Sequence, residues 1–166
     1  MRIDEIIKLV EAPEDGTFAG VRFNNASVQK LKDFSEDNNI PNQTPIEDYH
    51  ATLLFSKVPV PEYQPQGKLR SPLTATPNDV KIWGEDEERV LVVTLVCPKL
   101  VARHEQLMKQ HPNATYDHDE YIPHVTLSYN VGDFDTNSLD ISKLGELVID
   151  EEYGDDIDPD WKKDKD

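Results

Sequence analysis

Cysteine is almost absent from this sequence. Cys97 is the only one in 166 residues, and it lies in the apolar segment 90–97. One thiol cannot form an internal disulfide, and a cysteine among apolar residues is more often a buried side chain than a nucleophile. The composition therefore excludes a disulfide-stabilised domain and is typical of a protein from a reducing cytoplasm.

Long hydrophobic runs are absent as well. No stretch approaches the roughly 18 consecutive apolar residues that a membrane-spanning helix needs. The first ten residues include Asp4 and Glu5, whereas a signal peptide would begin with basic and then apolar residues. From the sequence we expect a protein that neither spans a membrane nor is exported.

Basic residues are scarce relative to acidic ones. The chain has 17 Lys and Arg against 33 Asp and Glu, which gives a formal net charge of −16, and residues 133–166 alone hold 13 acidic and 4 basic side chains. A surface this negative repels the phosphate backbone, so long DNA or RNA is not an expected partner, whereas a small nucleotide is compatible with it. Repulsion between like-charged copies also favours a monomer.

The motifs of common metal sites are missing. The chain has no H-E-x-x-H sequence and no pair of cysteines. We therefore expect no metal and no other cofactor. Two histidines that act as metal ligands remain an alternative.

Hydrophobic periodicity predicts one domain of mixed strands and helices. The order of elements indicates an α+β fold over residues 1–154, and the acidic segment 155–166 has too little apolar content to pack, so we expect it to be disordered. The proline-rich segment 57–72 is expected to be an irregular connection. The predicted strands are 17–24, 49–56, 73–83, 89–97, 124–130 and 145–152, and the predicted helices are 26–37 and 99–110.

Two of these strands carry the same sequence pattern. Residues 50–55 read HATLLF and residues 124–129 read HVTLSY, so both match H-x-T-L-x-[FY]. The two copies begin 74 residues apart. A chance recurrence of His-x-Thr is uncommon, and the shared leucine, aromatic residue and strand context make it rarer, which indicates two copies of one functional device.

Alternation along a strand decides which of these side chains lie together. His50 and Thr52 are two residues apart and share one face, and the same holds for His124 and Thr126. Phe55 has the opposite parity and is expected to pack in the core. Each strand therefore presents an imidazole and a hydroxyl side by side.

Paired imidazoles suit the cleavage of a phosphodiester. The reaction needs one group to take a proton from the nucleophile and another to give a proton to the leaving oxygen, and a histidine with an unperturbed pKa of about 6.5 can do either near neutral pH. The threonine hydroxyls would donate hydrogen bonds to the non-bridging oxygens as charge builds there. Such a scheme requires no metal.

The duplicated motif resembles the 2H phosphoesterase superfamily, which is defined by two His-x-[Thr/Ser] motifs. Within it, the segments GTFAGVRF, IEDYHATLLFS, VKIWG and YIPHVTLSYN look most like the phage anti-CBASS phosphodiesterases, and the resemblance spans residues 16–152. It implies a two-lobed α+β fold in which two antiparallel sheets form a central cleft with helices outside. It also implies a metal-independent enzyme in the cytoplasm of an infected bacterium, where hydrolysis of 3′–5′ cyclic di- and trinucleotides lets a phage evade CBASS immunity.

Carried over by position, the resemblance gives catalytic and substrate-binding residues. Trp83 corresponds to an aromatic residue that stacks on a base, although a half-buried hairpin tryptophan is the structural alternative. Phe18 stands where relatives have tyrosine, so it can stack but cannot donate a hydroxyl. The implied catalytic residues are His50, Thr52, His124 and Thr126, and the candidate substrate-binding residues are Trp83, Phe18, Glu151, Glu152 and, next to the first motif, Tyr49.

The remaining chemistry-bearing residues leave alternatives open. Arg22 and Arg70 are candidate phosphate contacts. The other histidines, His104, His111 and His118, lack a threonine two residues later and are expected to be surface or capping side chains. Tyr49 and Tyr121, each close before a motif histidine, either line the cleft or are strand aromatics.

Three other functions also fit parts of the pattern. A 2H enzyme that acts on RNA ends or on 2′,3′-cyclic phosphates would need a basic groove, which the charge disfavours. A non-catalytic protein that sequesters cyclic nucleotides would keep the aromatic residues but would not need the two histidines. An acidic interaction module with a chance pair of motifs would need none of them.

Overall fold

The computed structural model describes residues 16–85, 88–116 and 120–156. Six strands and two longer helices occur there in the predicted order, with short 3₁₀ turns in the loops. The elements are β1 (Thr17–Phe23), α1 (Asn25–Asp37), β2 (His50–Ser56), β3 (Gly67–Trp83), β4 (Val90–Val96), α2 (Pro98–Gln110), β5 (His124–Ser128) and β6 (Leu147–Asp156).

All six strands belong to one sheet, in the order β2-β1-β6-β3-β4-β5. We expected two separate antiparallel sheets, and the pairing differs from that because β3 is long enough to serve both halves. Its first part pairs with β6 and its second part with β4, both antiparallel. The α+β class is confirmed, whereas hydrogen bonding through β3 joins the two predicted sheets into one.

The long strand β3 begins earlier than the sequence indicated. It starts at Gly67 rather than at residue 73, so the predicted irregular connection contributes its last residues to the sheet. Pro72 and Pro77 are tolerated because the register shifts between Lys68 and Leu73 and again between Pro77 and Asp79. Proline cannot donate a ladder hydrogen bond, so it is accommodated at such irregularities.

The helices are positioned by their ends and by one apolar stripe each. Asn24 caps α1 by accepting a hydrogen bond from the Ser27 amide at 2.9 Å, and Pro98 stands in the first turn of α2, where its missing N–H costs little. The stripe of α1 buries Leu31 and Phe34, and that of α2 buries Leu100, His104 and Leu107. Both stripes belong to, or pack against, the core shared with the sheet.

The two edge strands of the sheet, β2 and β5, approach each other to within 8 Å between Cα atoms. The segment before β2 continues this approach, since Gln43 forms an antiparallel bridge with Ser128 of β5. The sheet is therefore curved so that its two ends meet. This curvature brings the two His-x-Thr strands to one place.

Two predictions concern the ends of the chain. β6 continues to Asp156, so the first two residues of the predicted tail belong to a strand, because their backbone pairs with Thr17 and Phe18 of β1. The rest of that segment, 157–166, and the N-terminal segment 1–10 lie outside the described residues. In the described part of the chain, no helix is long and apolar enough to cross a membrane.

Candidate active site

The two histidines occupy equivalent positions at the start of their strands. His50 opens β2 and His124 opens β5, and in both strands the histidine and the following threonine are half-buried while the residue between them is buried. Thr52 and Thr126 therefore lie on the same face as their histidines, as alternation predicted. The sequence prediction about these four side chains agrees with their burial.

A β-bulge follows each motif at the same place. In β2, Thr52 pairs with Gly20 and Leu54 with Ala19, which leaves Leu53 as an extra residue. In β5, Thr126 pairs with Val92 and Ser128 with Leu91, which leaves Leu127 as the extra one. A bulge bends the strand and increases its twist. It also ends the simple alternation on which the sequence interpretation relied.

Phe55 shows the effect of the bulge in β2. We predicted it in the core, but Leu54 is buried instead and Phe55 is only half-buried. Its ring centroid lies 6.3 Å from that of Phe18, which in turn lies 5.7 Å from the His50 ring. The extra residue at Leu53 shifts the parity, so Phe55 joins the face of the histidine.

Both imidazoles are held in the same way. Nδ1 of His50 lies 2.8 Å from the carbonyl oxygen of Asp48, and Nδ1 of His124 lies 2.9 Å from that of Ile122. A carbonyl oxygen only accepts, so Nδ1 carries the hydrogen in each ring and Nε2 is the atom that gains or loses a proton. Two histidines in one tautomer, each oriented through the residue two positions earlier, are suited to proton transfer through Nε2.

An aromatic ring stands edge-on to each histidine. Phe18 lies beside His50 at an interplanar angle of 77°, and Trp83 lies beside His124 with ring centroids 4.6 Å apart and an angle of 73°. The structure thus brings both predicted stacking residues next to the motif. Their flat rings offer apolar surface on which a nucleobase can stack.

The cross-strand neighbours of His50 carry charge. His50 pairs with Arg22 of β1, and Arg22 pairs with Glu151 of β6, so the three side chains share one face. Arg22 Nη1 lies 3.6 Å from Glu151 Oε1, and the guanidinium lies over the Tyr153 ring at 3.7 Å from its centroid. Lys68 also approaches Glu151, at 3.9 Å. Glu151 and Arg22 are therefore placed on the histidine face.

Glu152 points the other way and is not brought to the histidines. Its side chain is 2% exposed, and Arg103 of α2 donates to both carboxylate oxygens at 2.9 Å. Tyr63 Oη donates a third hydrogen bond at 2.7 Å, and the Glu152 hydrogen bonds raise the pKa of Arg103. A carboxylate held in this way stabilises the packing of α2 on the sheet. The predicted base contact at Glu152 is therefore replaced by an internal ion pair.

Two further candidates also lie away from the motif face. Tyr49 is 3% exposed, its hydroxyl is 3.4 Å from Ser35 Oγ of α1, and burial raises its pKa, so it is a core residue. Its parity relative to His50 explains this placement. Arg70 lines a cleft of about 580 Å³ between β3 and α2, together with Arg103 and Glu152. Neither residue is positioned to contact a phosphate between the histidines.

One histidine behaves differently from the prediction. His104 is 7% exposed rather than at the surface, its ring stacks on Tyr121 with centroids 4.1 Å apart, and its Nδ1 lies 2.7 Å from the Leu53 carbonyl oxygen. The spacing of Leu100, His104 and Leu107 along α2 was the signal, since residues four and three apart share one helix face. His111 lies in the described part of the chain, half-buried at the end of α2, whereas His118 is outside it.

Potential metal ligands are dispersed over the described part of the chain. Among residues 16–85, 88–116 and 120–156, no three His, Cys, Asp or Glu side chains are grouped so that they could hold a metal ion. Metal independence itself remains a prediction from the motif chemistry.

Solved structures define the class of this fold. The chain is similar to Escherichia coli LigT, at 13% identity and a TM-score of 0.58 over 86% of this chain and 87% of that one. A second structure, described as a phosphoesterase, gives a TM-score of 0.60 at 14% identity, over 86% of this chain and 88% of that one. The architecture is therefore an α+β fold similar to that of LigT.

The family follows from sequence. Residues 15–164 match the model of the anti-CBASS protein Acb1 family, so the chain belongs to that family. The Acb1 protein of Enterobacteria phage T4 is 30% identical over 90% of this chain and 93% of its own, and that of Acinetobacter phage Ac42 is 32% identical over 90% and 95%. Membership of this family confirms the predicted resemblance and the predicted anti-CBASS function. The family and the fold together also support the assignment to the phosphodiesterase class.

Proposed function

We propose that this protein linearises 3′–5′ cyclic di- and trinucleotides by acid–base catalysis between His50 and His124. The observation that carries the proposal is the equivalence of the two motifs. Each imidazole donates through Nδ1 to a carbonyl two residues earlier, and each stands beside a threonine on its own strand. Two such groups on strands that meet can serve both ends of one displacement at phosphorus.

The proposed reaction starts from the ribose of the substrate. The 2′-hydroxyl next to the scissile linkage attacks phosphorus after one neutral imidazole removes its proton at Nε2. The other imidazole, protonated at Nε2, gives its proton to the departing 5′-oxygen, so the P–O5′ bond breaks and a 2′,3′-cyclic phosphate forms. Water can then open that phosphate with the roles of the two histidines exchanged.

The threonines and the flanking rings have separate roles in this proposal. Thr52 and Thr126 donate hydrogen bonds to the non-bridging oxygens as negative charge develops, which stabilises the transition state more than the bound substrate. Phe18 and Trp83 hold nucleobases by stacking at the two ends of the site. Arg22 and Glu151, on the His50 side, offer a cation to a phosphate and a carboxylate to a base amino group.

The local charge supports a small substrate. Arg22 lies on β1, which pairs with β2, and Lys68 and Lys81 lie on β3, yet each of the three lies within 4 Å of a carboxylate oxygen. The chain as a whole carries −16. A long polyanion would meet repulsion along most of this surface. A ring of two or three nucleotides needs only the face of the sheet that carries the motif histidines and threonines.

The proposal is tested on a panel of 3′–5′ cyclic di- and trinucleotides, with a 2′,3′-cyclic mononucleotide for comparison, in excess EDTA. We expect linear products that are absent with His50→Ala or His124→Ala, and no cleavage of an analogue whose attacking 2′-hydroxyl is replaced by hydrogen. Tight binding without cleavage would identify a sequestering protein instead. Cleavage of the mononucleotide alone would identify an enzyme of RNA ends, and loss of activity in EDTA would contradict the metal-free scheme.

A further inference from the structure

The two motif strands, β2 and β5, are both edge strands of the sheet, so some of their backbone groups have no partner in the sheet. An edge strand leaves alternate backbone groups without a ladder partner on its outer side, and a bulge leaves further groups unpaired. β2 and β5 stand at opposite ends of the strand order, and each contains a bulge at the leucine after the motif threonine. The carbonyls of the motif threonine and of the leucine after it therefore need hydrogen-bond partners from outside the sheet in both strands.

In both strands the same two carbonyls receive hydrogen bonds. On β2, Tyr121 Oη donates to the Thr52 carbonyl at 2.6 Å, and His104 Nδ1 lies 2.7 Å from the Leu53 carbonyl. The His104 imidazole is the donor there, since a carbonyl oxygen only accepts.

On β5, Thr44 supplies both donors. Its Oγ1 donates to the Thr126 carbonyl at 2.9 Å, and its backbone amide donates to the Leu127 carbonyl at 2.9 Å. Thr44 is 4% exposed, so these bonds are shielded from water.

Two of the three donor residues come from the segment that leads into the opposite motif. Tyr121 precedes His124 by three residues but holds β2, and Thr44 precedes His50 by six residues but holds β5. Each motif strand is therefore fixed by the chain segment of the other motif. These reciprocal hydrogen bonds connect the backbone of Thr52 and the backbone of Thr126 to segments on opposite sides of the place where β2 and β5 meet.

We propose that Tyr121 and Thr44 are positioning residues of the active site, which act through the carbonyls of Thr52 and Thr126. A hydrogen bond to a residue's own carbonyl fixes its peptide plane, and hence the direction of its side chain. A displacement of about 1 Å in a catalytic group can cost up to about a hundredfold in rate. The proposal rests on the function proposed above, because it assigns Thr52 and Thr126 a part in the chemistry.

The first test replaces Tyr121 by Phe and uses Tyr63→Phe as a matched control. Both changes remove one part-buried tyrosine hydroxyl, whose shortest bond is 2.6 Å at Tyr121 and 2.7 Å at Tyr63. The Tyr63 hydroxyl contacts Glu152 and, at 3.5 Å, the Tyr153 carbonyl, and neither residue is on a motif strand. We expect Tyr121→Phe to lower kcat by about tenfold with KM within about twofold of wild type, because the threonine acts mainly in the transition state. Tyr63→Phe should leave kcat within about twofold.

The second test acts on the other strand and does not depend on the folding of Tyr121→Phe. Thr44→Val removes Oγ1 but keeps the backbone amide and the shape of the side chain, whereas Thr44→Ser keeps the hydroxyl. We expect Thr44→Val to lower kcat by about tenfold and Thr44→Ser to restore most of it, with KM again little changed. Melting temperatures of all variants are measured alongside.

The outcomes separate this proposal from the proposed function. If Tyr121→Phe and Thr44→Val retain wild-type kcat, or fall only as far as Tyr63→Phe, the positioning role is wrong. The role is equally wrong if kcat falls by the same factor in Thr44→Val and Thr44→Ser. If instead His50→Ala and His124→Ala stay active on the same substrate, the function itself is wrong, whatever the positioning variants do.

Discussion

β2 and β5 are two versions of one strand in different surroundings. They share the His-x-Thr-Leu order and the Nδ1 bond to the carbonyl two residues earlier, which are local in sequence, and a bulge at the leucine, which depends on the neighbouring strand. Their differences come from neighbouring strands. Thr52 stands opposite Gly20, which leaves room for the Phe18 and Tyr153 rings, whereas Thr126 stands opposite the buried Val92.

The comparison separates catalysis from recognition. The repeated device explains how both strands can present a proton-transfer group and a hydroxyl in the same geometry. The different neighbours make the two ends of the site unequal: His50 has the charged pair Arg22 and Glu151 as well as the Phe18 ring, whereas His124 has the Trp83 ring. Under the proposed function, an unequal site would bind a ring of two or three nucleotides in a preferred orientation, while the chemistry stays symmetric.

The largest effect that tests the equivalence is the loss of either threonine hydroxyl. Thr52→Val and Thr126→Val should each lower kcat by about a hundredfold, since removal of one hydrogen-bond donor to a developing charge typically costs that much. Thr→Ser at either position is the control that keeps the donor. Initial rates on a cyclic dinucleotide measure both, and a difference above about tenfold between the two Val variants would break the proposed symmetry.

The flanking rings are expected to affect binding more than the chemical step. Phe18→Ala and Trp83→Ala should each raise KM by about tenfold with a smaller change in kcat, because base–aromatic stacking contributes about 1–3 kcal/mol. Phe18→Tyr, the residue that relatives are expected to carry, serves as the conservative control. If both Ala variants lower only kcat, the rings orient the histidines instead of holding bases.

The glycine opposite Thr52 gives a smaller and one-sided effect. A Cβ at Gly20 would lie 2.9 Å from Phe18 Cε2 and 3.0 Å from Tyr153 Cε1, so Gly20→Ala must displace a ring. We expect KM to rise by about threefold through Phe18, at a cost in stability of about 1 kcal/mol. In a Phe18→Ala background the same change should add little to KM. An additive effect would show that Gly20 acts through Tyr153 alone.

Alkaline pH should destabilise β2 before β5, and the effect near neutral pH should be small. Burial raises the pKa of Tyr121 above its usual range and raises that of Tyr153 to about 12. Tyr121 donates to β2, and Tyr153 lies opposite Gly20 of β1, the strand that pairs with β2. A raised folded-state pKa means stability that is fully present below about pH 10 and is lost as pH rises through the higher value. The donor on β5 is a threonine hydroxyl, which does not titrate there.

The measurement is the exchange of backbone amides, followed by NMR from pH 8 to above pH 11. Protection in β2 should fall before protection in β5, and tyrosine ionisation followed at 295 nm should lag behind the value of about 10 for a free side chain. Activity should not change below about pH 9 on account of these tyrosines. If protection in β5 falls first, the titrating tyrosines do not stabilise β2.

The sequence carried most of the local information about this molecule. Element order, the face of each histidine and the neighbouring aromatics Phe18 and Trp83 follow from periodicity and from the family resemblance. These features depend on residues a few positions apart or on one repeated motif. They survive in the structure because nothing in the tertiary packing opposes them.

The failures have a common physical origin in contacts between segments that are distant in sequence. The bulge at Leu53, which moves Phe55 to the histidine face, depends on the register with β1. The inward turn of Glu152 depends on Arg103, which lies 49 residues away. The donors Tyr121 and Thr44 lie in the segments that precede the opposite motif, so no local pattern marks them. Only the three-dimensional structure brings these donors to the motif strands.

The central claim is that His50 and His124 work as one acid–base pair, and a double-mutant cycle tests it most directly. Single-turnover rates on one cyclic oligonucleotide in EDTA are compared for His50→Ala, His124→Ala and the double variant. The account predicts that each single change costs about a thousandfold and that the double variant is scarcely slower, because the groups act as a unit. A single variant that keeps the wild-type rate, or two losses that multiply in full, would contradict it.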